Sequence, residues 1–112
     1  MSHEKEFANE ILVKASYALE QGKPLQATDI IVDALDDLIY QNKFDIVGVL
    51  MEKLDVNIFP PVVLTGILMY TNKSKEKIGL PWLQFLSRTE LALKNTWGYS
   101  DKAITKNTKR YI

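Results

Sequence analysis

The chain has 112 residues, of which 46% are hydrophobic and 25% are charged, as is typical of one globular domain rather than of a disordered segment. It contains no cysteine, which excludes disulfides, thiolate catalysis and cysteine-ligated zinc or iron–sulfur centres. Fourteen basic residues balance fourteen acidic ones, so the chain lacks the strong positive charge of a dedicated nucleic-acid-binding domain.

The apolar segments are too short for a membrane protein. The first residues are polar and lack the apolar stretch of a secretory signal. The longest apolar run covers residues 60–70, about half of the roughly twenty residues that a membrane-spanning helix needs. Together with the absence of cysteine, these features predict a soluble cytoplasmic protein without membrane contact.

Charge is distributed unevenly along the chain. Residues 1–56 contain eleven acids and five bases, a formal charge of −6, whereas residues 57–112 contain three acids and nine bases, a formal charge of +6. If the fold keeps these halves apart, the resulting dipole favours head-to-tail self-association or an acidic partner at the C-terminal end.

A glycine and a proline separate the first two predicted helices. Apolar residues at helical spacing predict a first helix over residues 4–21. Gly22 favours a helix end, and Pro24 prevents the helix from continuing. The second helix is predicted over residues 25–42, with one broad apolar face formed by Ala27, Ile30, Ile31, Ala34, Leu35, Leu38 and Ile39.

The third and fourth predicted helices form the middle of the chain. Helical spacing predicts the third over residues 44–54. Pro60 and Pro61 favour a new helix start, because proline is tolerated in a first turn, and the fourth helix follows over residues 61–70. Since that helix is apolar nearly all round, we expect neighbours on every side and place it at the centre of the fold. Gly66 is expected to let a neighbouring helix approach closely.

The fifth predicted helix precedes a basic tail. It covers residues 81–95 and ends near Gly98. One face of this helix is expected to close the core through Trp82, Phe85, Leu86, Thr89 and Leu93. Residues 99–112 contain few large apolar side chains, so they are predicted either to form a short helix from Ser100 or to be frayed.

These elements predict an all-α fold. Residues 1–98 are expected to form a compact bundle or stack of about five antiparallel helices, followed by a basic C-terminal tail over residues 99–112. No convincing internal repeat aligns the successive helical hairpins, so no repeat family is indicated. The residues expected to be most buried are Leu64, Ile67 and Leu68, surrounded by Leu35, Leu38, Leu50 and Leu86.

Carboxylates are concentrated on one side of the second predicted helix, at Asp29, Asp33, Asp36 and Asp37. Carboxylates three or four residues apart on a helix face can share a divalent cation such as Mg²⁺, and the later Glu52 and Asp55 repeat this spacing. The pattern resembles in part the two acidic helix motifs of all-α nucleotide pyrophosphatases, the first of which has paired glutamates followed by a third acid. This resemblance implies a divalent-metal-dependent nucleotide hydrolase as one alternative function.

The predicted orientation of these carboxylates argues against catalysis. A metal site in a helical bundle needs carboxylates that project inward, whereas the four aspartates lie opposite the apolar face of their helix. His3, the only histidine, has no acid–base partner in its polar surroundings, and no glycine-rich phosphate loop is present. We therefore predict a non-enzyme with no metal and no cofactor, whose aspartates form a solvated surface available for interactions.

Basic and aromatic residues are concentrated near the C-terminus. The interaction candidates there are Trp97, Tyr99, Lys102, Lys106, Lys109 and Arg110. This interleaving is typical of surfaces that contact phosphates and stack on bases, so a nucleic-acid-associated factor is the second alternative. The zero net charge of the chain argues against it. The sequence thus favours a non-catalytic helical module that binds another protein or a second copy of itself.

Overall fold

The computed structural model describes residues 2–108, in which all regular structure is helical. The all-α prediction is therefore confirmed. Six of the helices have eight residues or more, one beyond the predicted five. The elements are α1 (Ser2–Glu20), α2 (Pro24–Tyr40), α3 (Phe44–Lys53), α4 (Pro61–Thr71), a 3₁₀ turn (Asn72–Ser74), a single turn α5 (Lys75–Ile78), α6 (Leu80–Asn95) and α7 (Asp101–Thr108).

The turns that end α1 and α2 have the same backbone conformation. At the end of α1, Gly22 adopts a φ of +73°, and the Lys23 N–H donates to the Ala18 carbonyl oxygen at 2.9 Å. Twenty residues later, Asn42 adopts a φ of +59°, and Lys43 donates to Leu38 at 2.8 Å in the same pattern. Both turns match the Schellman motif, in which a residue of left-handed conformation ends the helix. The sequence predicted the first turn from its glycine, and it predicted a break at residues 41–43 but not the left-handed conformation of Asn42.

The helices are arranged in two layers. In one layer α3 packs beside α1 and α6, and in the other α2 packs beside α4. The smallest dimension of the molecule, 20 Å, equals about two helix diameters of roughly 10–12 Å each. Helices adjacent in the chain therefore lie mostly in different layers, as in a stack of helical hairpins.

Neighbours within a layer run parallel. Pro81, at the start of α6, lies against Gly48 in α3, where a Cβ would approach the proline Cγ to 3.2 Å. Farther along both helices, the Arg88 guanidinium donates to the Met51 carbonyl oxygen at 2.9 Å. The start of α1, through Phe7, likewise lines the same surface hollow as the start of α3. The layer containing α1, α3 and α6 is thus a set of parallel helices.

Close approach in the second layer depends on a glycine. A Cβ on Gly66 of α4 would lie 3.1 Å from the Thr28 Cγ2 atom of α2, a distance tighter than most real Cβ contacts. The prediction that Gly66 admits a neighbouring helix is confirmed, and α2 is that helix.

The core prediction is correct for the inner side of α4 and wrong for its outer side. Leu64, Ile67 and Leu68 are fully buried, and the four leucines expected around them are also buried. However, Val62 is 47% exposed and Met69 is 64% exposed. Each layer is one helix thick, so one side of α4 faces solvent. The sequence of α4, which is apolar nearly all round, does not indicate which side that is.

A hydrogen-bonded pair closes the core between α4 and α6. Trp82, which is 1% exposed, donates its indole N–H to the Thr71 hydroxyl at 2.8 Å. The Thr71 hydroxyl in turn donates to the Ile67 carbonyl oxygen at 2.7 Å. The expectation that Trp82 and Phe85 belong to the core is confirmed, since Phe85 is also fully buried.

Candidate protein-interaction surfaces

The four aspartates of α2 form an exposed surface, which we call the acidic face (Asp29, Asp33, Asp36 and Asp37). It lies opposite the buried side of α2, as the sequence predicted. Asp36 accepts a hydrogen bond from the Tyr70 hydroxyl of α4. The acidic face therefore borders the contact between α2 and α4.

Tyr70 links the acidic face to the basic half of the chain. Partial burial, the hydrogen bond to Asp36 and the charges of Asp36, Asp33 and Asp37 raise the pKa of Tyr70 to about 12. On the other side, the Lys73 ammonium lies 5.1 Å from the centroid of the Tyr70 ring, within the range of a cation–π contact. The sequence did not predict this link, because no local sequence pattern indicates a contact between residues 34 positions apart.

The Tyr70→Phe variant should lose less stability at alkaline pH than the wild type. The pKa of tyrosine in the unfolded chain is about 10, and that of Tyr70 in the folded chain is about 12. Below pH 10 the raised pKa of Tyr70 makes its full contribution to the free energy of unfolding. This contribution falls as the pH rises to about 12, because the tyrosine hydroxyl loses its proton in the unfolded chain before it does so in the folded chain. Urea unfolding across that window should show a shallower decline in Tyr70→Phe.

The matched control is Tyr40→Phe, which removes a tyrosine that is 88% exposed. This variant should keep the decline of the wild type. An equally steep decline in Tyr70→Phe would contradict the proposed coupling to the acidic face.

The carboxylates are not arranged as a metal site. Among the side chains that the structure describes, which exclude that of Glu4, no group of three or more histidines or acids is placed to hold a metal ion. In the second acidic pair, Glu52 is exposed and Asp55 accepts the backbone N–H of Asn57 at 2.9 Å, forming a local turn. His3 is exposed, with its Nδ1 atom 3.8 Å from a Glu6 carboxylate oxygen.

The described part of the predicted tail is helical. Residues 101–108 form α7, which packs on α6 and buries Ile104 and Thr108. The Ser100 hydroxyl accepts the Ala103 N–H at 3.2 Å at the start of this helix. The short helix that the sequence left open is thus present, because a capping serine and two buried side chains hold it on α6.

The basic candidates occupy the exposed side of α7. Lys102 and Lys106 are exposed and one turn apart, which places them on one side of the helix. On the adjoining end of α6, the Lys94 ammonium lies 3.5 Å from the Asp101 carboxylate. We call Lys102 and Lys106 the basic pair. Lys109 and Arg110 lie outside the described residues.

Trp97 and Tyr99 have structural contacts. The Trp97 indole N–H donates to the Val56 carbonyl oxygen at 3.1 Å, and its ring packs partly against the core. The Tyr99 backbone N–H donates to the Leu93 carbonyl oxygen at 2.7 Å. Both side chains are half-buried.

The fold does not bring the acidic face and the basic pair together. The main neighbours of α2 are α1, α3 and α4, whereas α7 packs chiefly on α6. The separation of charge along the sequence therefore persists along the stack, with acids at the α1–α2 end and bases at the α6–α7 end.

Two exposed apolar surfaces were missed by sequence reasoning. On α6, Leu80, Leu83 and Leu91 are 54–63% exposed and form what we call the leucine face. On α1, Val13 is 68% and Tyr17 is 61% exposed. On a helical wheel at 100° per residue, the three leucines lie opposite Trp82 and Phe85. Such a wheel of residues 80–95 therefore predicts the leucine face.

The chain matches no protein-family model, no curated protein and no solved structure. No helix in the part of the chain that the structure describes is long and apolar enough to cross a membrane.

Proposed function

We propose that this protein is a non-catalytic helical module that binds other protein molecules through its charged ends. The observation that supports this most directly is the separation of the acidic face from the basic pair at opposite ends of the helical stack. Such a dipole orients an approaching charged protein and accelerates its association.

The structure gives the nucleic-acid alternative less support than the sequence did. Trp82, an aromatic residue of the basic half of the chain, is buried and cannot stack on a base. The ammonium groups of Lys73 and Lys75 lie 5.1 Å and 5.6 Å from the ring centroids of Tyr70 and Trp82. These two lysines therefore contribute to the packing of their own chain.

The nucleotide-hydrolase alternative is also less well supported. Catalysis of that kind needs carboxylates that converge on a divalent cation. Here the four aspartates of the acidic face are exposed on the outer side of α2. One of them, Asp36, already accepts a hydrogen bond from Tyr70.

Charge reversal at each end of the stack tests the proposal. In affinity purification, partner proteins recovered with the wild type should be depleted by about tenfold or more in Asp33→Lys/Asp37→Lys or in Lys102→Glu/Lys106→Glu. The physical reason is that complementary charge governs both association and partner choice. Recovery should also decrease as salt is added, because exposed charges are screened beyond about 8–10 Å at ordinary ionic strength.

The matched controls are Glu52→Lys and Lys53→Glu, which reverse exposed charges on α3 outside both surfaces. These controls should recover the same proteins as the wild type. The proposal fails if no recovered protein depends on the acidic face or on the basic pair. Binding of DNA or RNA that is lost in Lys102→Glu/Lys106→Glu would replace it with the nucleic-acid function. Mg²⁺-dependent nucleotide turnover that is lost in Asp33→Lys/Asp37→Lys would replace it with the hydrolase.

A further inference from the structure

The helix that carries the basic pair, α7, is held in place by few side chains. Of the residues in α7, only Ile104 and Thr108 are buried, and its main neighbour is α6. An isolated helix shorter than about 12–15 residues is marginally stable in water. The helical structure of α7 therefore depends on its contact with α6.

The apolar contact beneath α7 is separate from the main core. The buried apolar side chains within residues 2–108 form one contiguous core, from which only Leu93 of α6 and Ile104 of α7 are set apart. Both side chains are nonetheless buried, Leu93 completely. A small second cluster therefore lies between α6 and α7.

The contacts at the two ends of α7 place this apolar pair face to face. Near the start of α7, the Lys94 ammonium lies 3.5 Å from the Asp101 carboxylate, and at its end the Thr108 hydroxyl lies 3.2 Å from the Glu90 carboxylate. α7 thus runs antiparallel to α6. On each helix the apolar residue lies between the two contact points and on the same side, because residues three or four apart share a helix face.

The polar contacts of α7 add little to its docking. The side chains of Lys94 and Asp101 are 59% and 83% exposed, and ion pairs this exposed contribute little to stability. The Thr108 hydroxyl also donates to the Ile104 carbonyl oxygen at 2.8 Å, a bond within α7 that persists when the helix moves. Separation of α7 from α6 therefore leaves neither partner of the ion pair buried and uncompensated.

The chain has a hinge between α6 and α7. The Trp97 indole N–H donates to the Val56 carbonyl oxygen at 3.1 Å, which fixes the end of α6 to the segment after α3. Gly98 follows with a φ of +73°, and α7 begins at Asp101. Because glycine tolerates backbone rotations that other residues resist, residues 98–100 can absorb a movement of α7 while α6 stays in place.

We infer that α7 is a hinged strap, which opens from α6 while the fold of α1–α6 remains intact and which covers an apolar site at Leu93 when it is closed. Local opening occurs where few apolar contacts hold a segment. The inference stands on the contacts between α6 and α7, independently of the proposed protein-binding function. Because the basic pair lies on α7, opening moves these charges relative to the acidic face and uncovers Leu93 at the same time.

Native-state hydrogen exchange of the full chain, resolved by residue with NMR, tests the strap. The amides of residues 104–108 should exchange at least about tenfold faster than those on the inner side of α4. Leu68→Ala, in the main core, should accelerate exchange in α4 by about thirtyfold or more. The same substitution should leave exchange in α7 unchanged, because the open state retains the core.

Two substitutions act on the contact beneath the strap. Ile104→Thr, which keeps the branched Cβ, and Leu93→Ala both weaken the closed position of α7. Each should accelerate exchange of the α7 amides by about fivefold or more, because each removes part of a buried apolar contact. The matched control is Thr105→Val at an exposed position of α7, which should exchange like the wild type.

Three results would overturn the inference. If Leu68→Ala accelerates exchange in α7 as much as in α4, α7 opens only when the whole chain unfolds. If Leu93→Ala leaves exchange in α7 unchanged, α7 does not cover Leu93. Equal acceleration by Ile104→Thr and Thr105→Val would assign the exchange to fraying of the helix itself. None of these measurements involves a partner, so their failure leaves the protein-binding function to be decided by the charge-reversal variants.

Discussion

Replacing Leu68 with alanine is expected to lower the free energy of unfolding by about 2–5 kcal/mol. Leu68 is fully buried on the inner side of α4, between the two layers of helices. The loss combines the transfer energy of the removed methyl and methylene groups with a cavity that the surrounding helices cannot fill completely. Urea unfolding followed by far-ultraviolet circular dichroism measures it.

The neighbouring Met69 provides the control for this prediction. Its side chain is 64% exposed, so Met69→Ala should change the free energy of unfolding by no more than about 0.5 kcal/mol. If Leu68→Ala costs less than that, α4 does not form the centre of the core.

Replacing Trp82 with alanine is expected to lower the free energy of unfolding by about 3–5 kcal/mol. The indole is 1% exposed and is the largest fully buried side chain within residues 2–108. Its removal leaves a large cavity between α4 and α6 and also breaks the hydrogen bond to Thr71. Urea unfolding followed by circular dichroism again measures the free energy of unfolding. Circular dichroism is preferred to fluorescence because the substitution removes a fluorophore.

A double-mutant cycle separates the hydrogen bond from the cavity. Thr71→Val leaves the indole N–H buried without its acceptor, at an expected cost of about 1–3 kcal/mol. Trp82→Phe removes the donor, so the cost of Thr71→Val should be smaller in that background. Additivity of the two changes within about 0.3–0.5 kcal/mol would show that the bond contributes nothing specific.

Local sequence chemistry determined most of the helices. Gly22 predicted the end of α1, and Pro24, Pro61 and Pro81 lie in the first turns of α2, α4 and α6. These residues act through their own backbone, glycine by accepting a positive φ and proline by lacking an N–H, so no distant neighbour is needed. Helical spacing likewise identified the buried sides, including Leu64, Ile67 and Leu68.

The tertiary structure decided which apolar and charged residues remain outside. The sequence of α4 is apolar nearly all round, yet Met69 is exposed because α4 lies in a layer one helix thick. Asp36 receives the Tyr70 hydroxyl only because α2 and α4 are neighbours in that layer. Periodicity specifies which side of a helix is apolar, whereas exposure depends on which helices pack against that side. The acidic face could therefore be predicted from residues 29–37 alone, but the leucine face became a surface only when α6 took its place at the end of the stack.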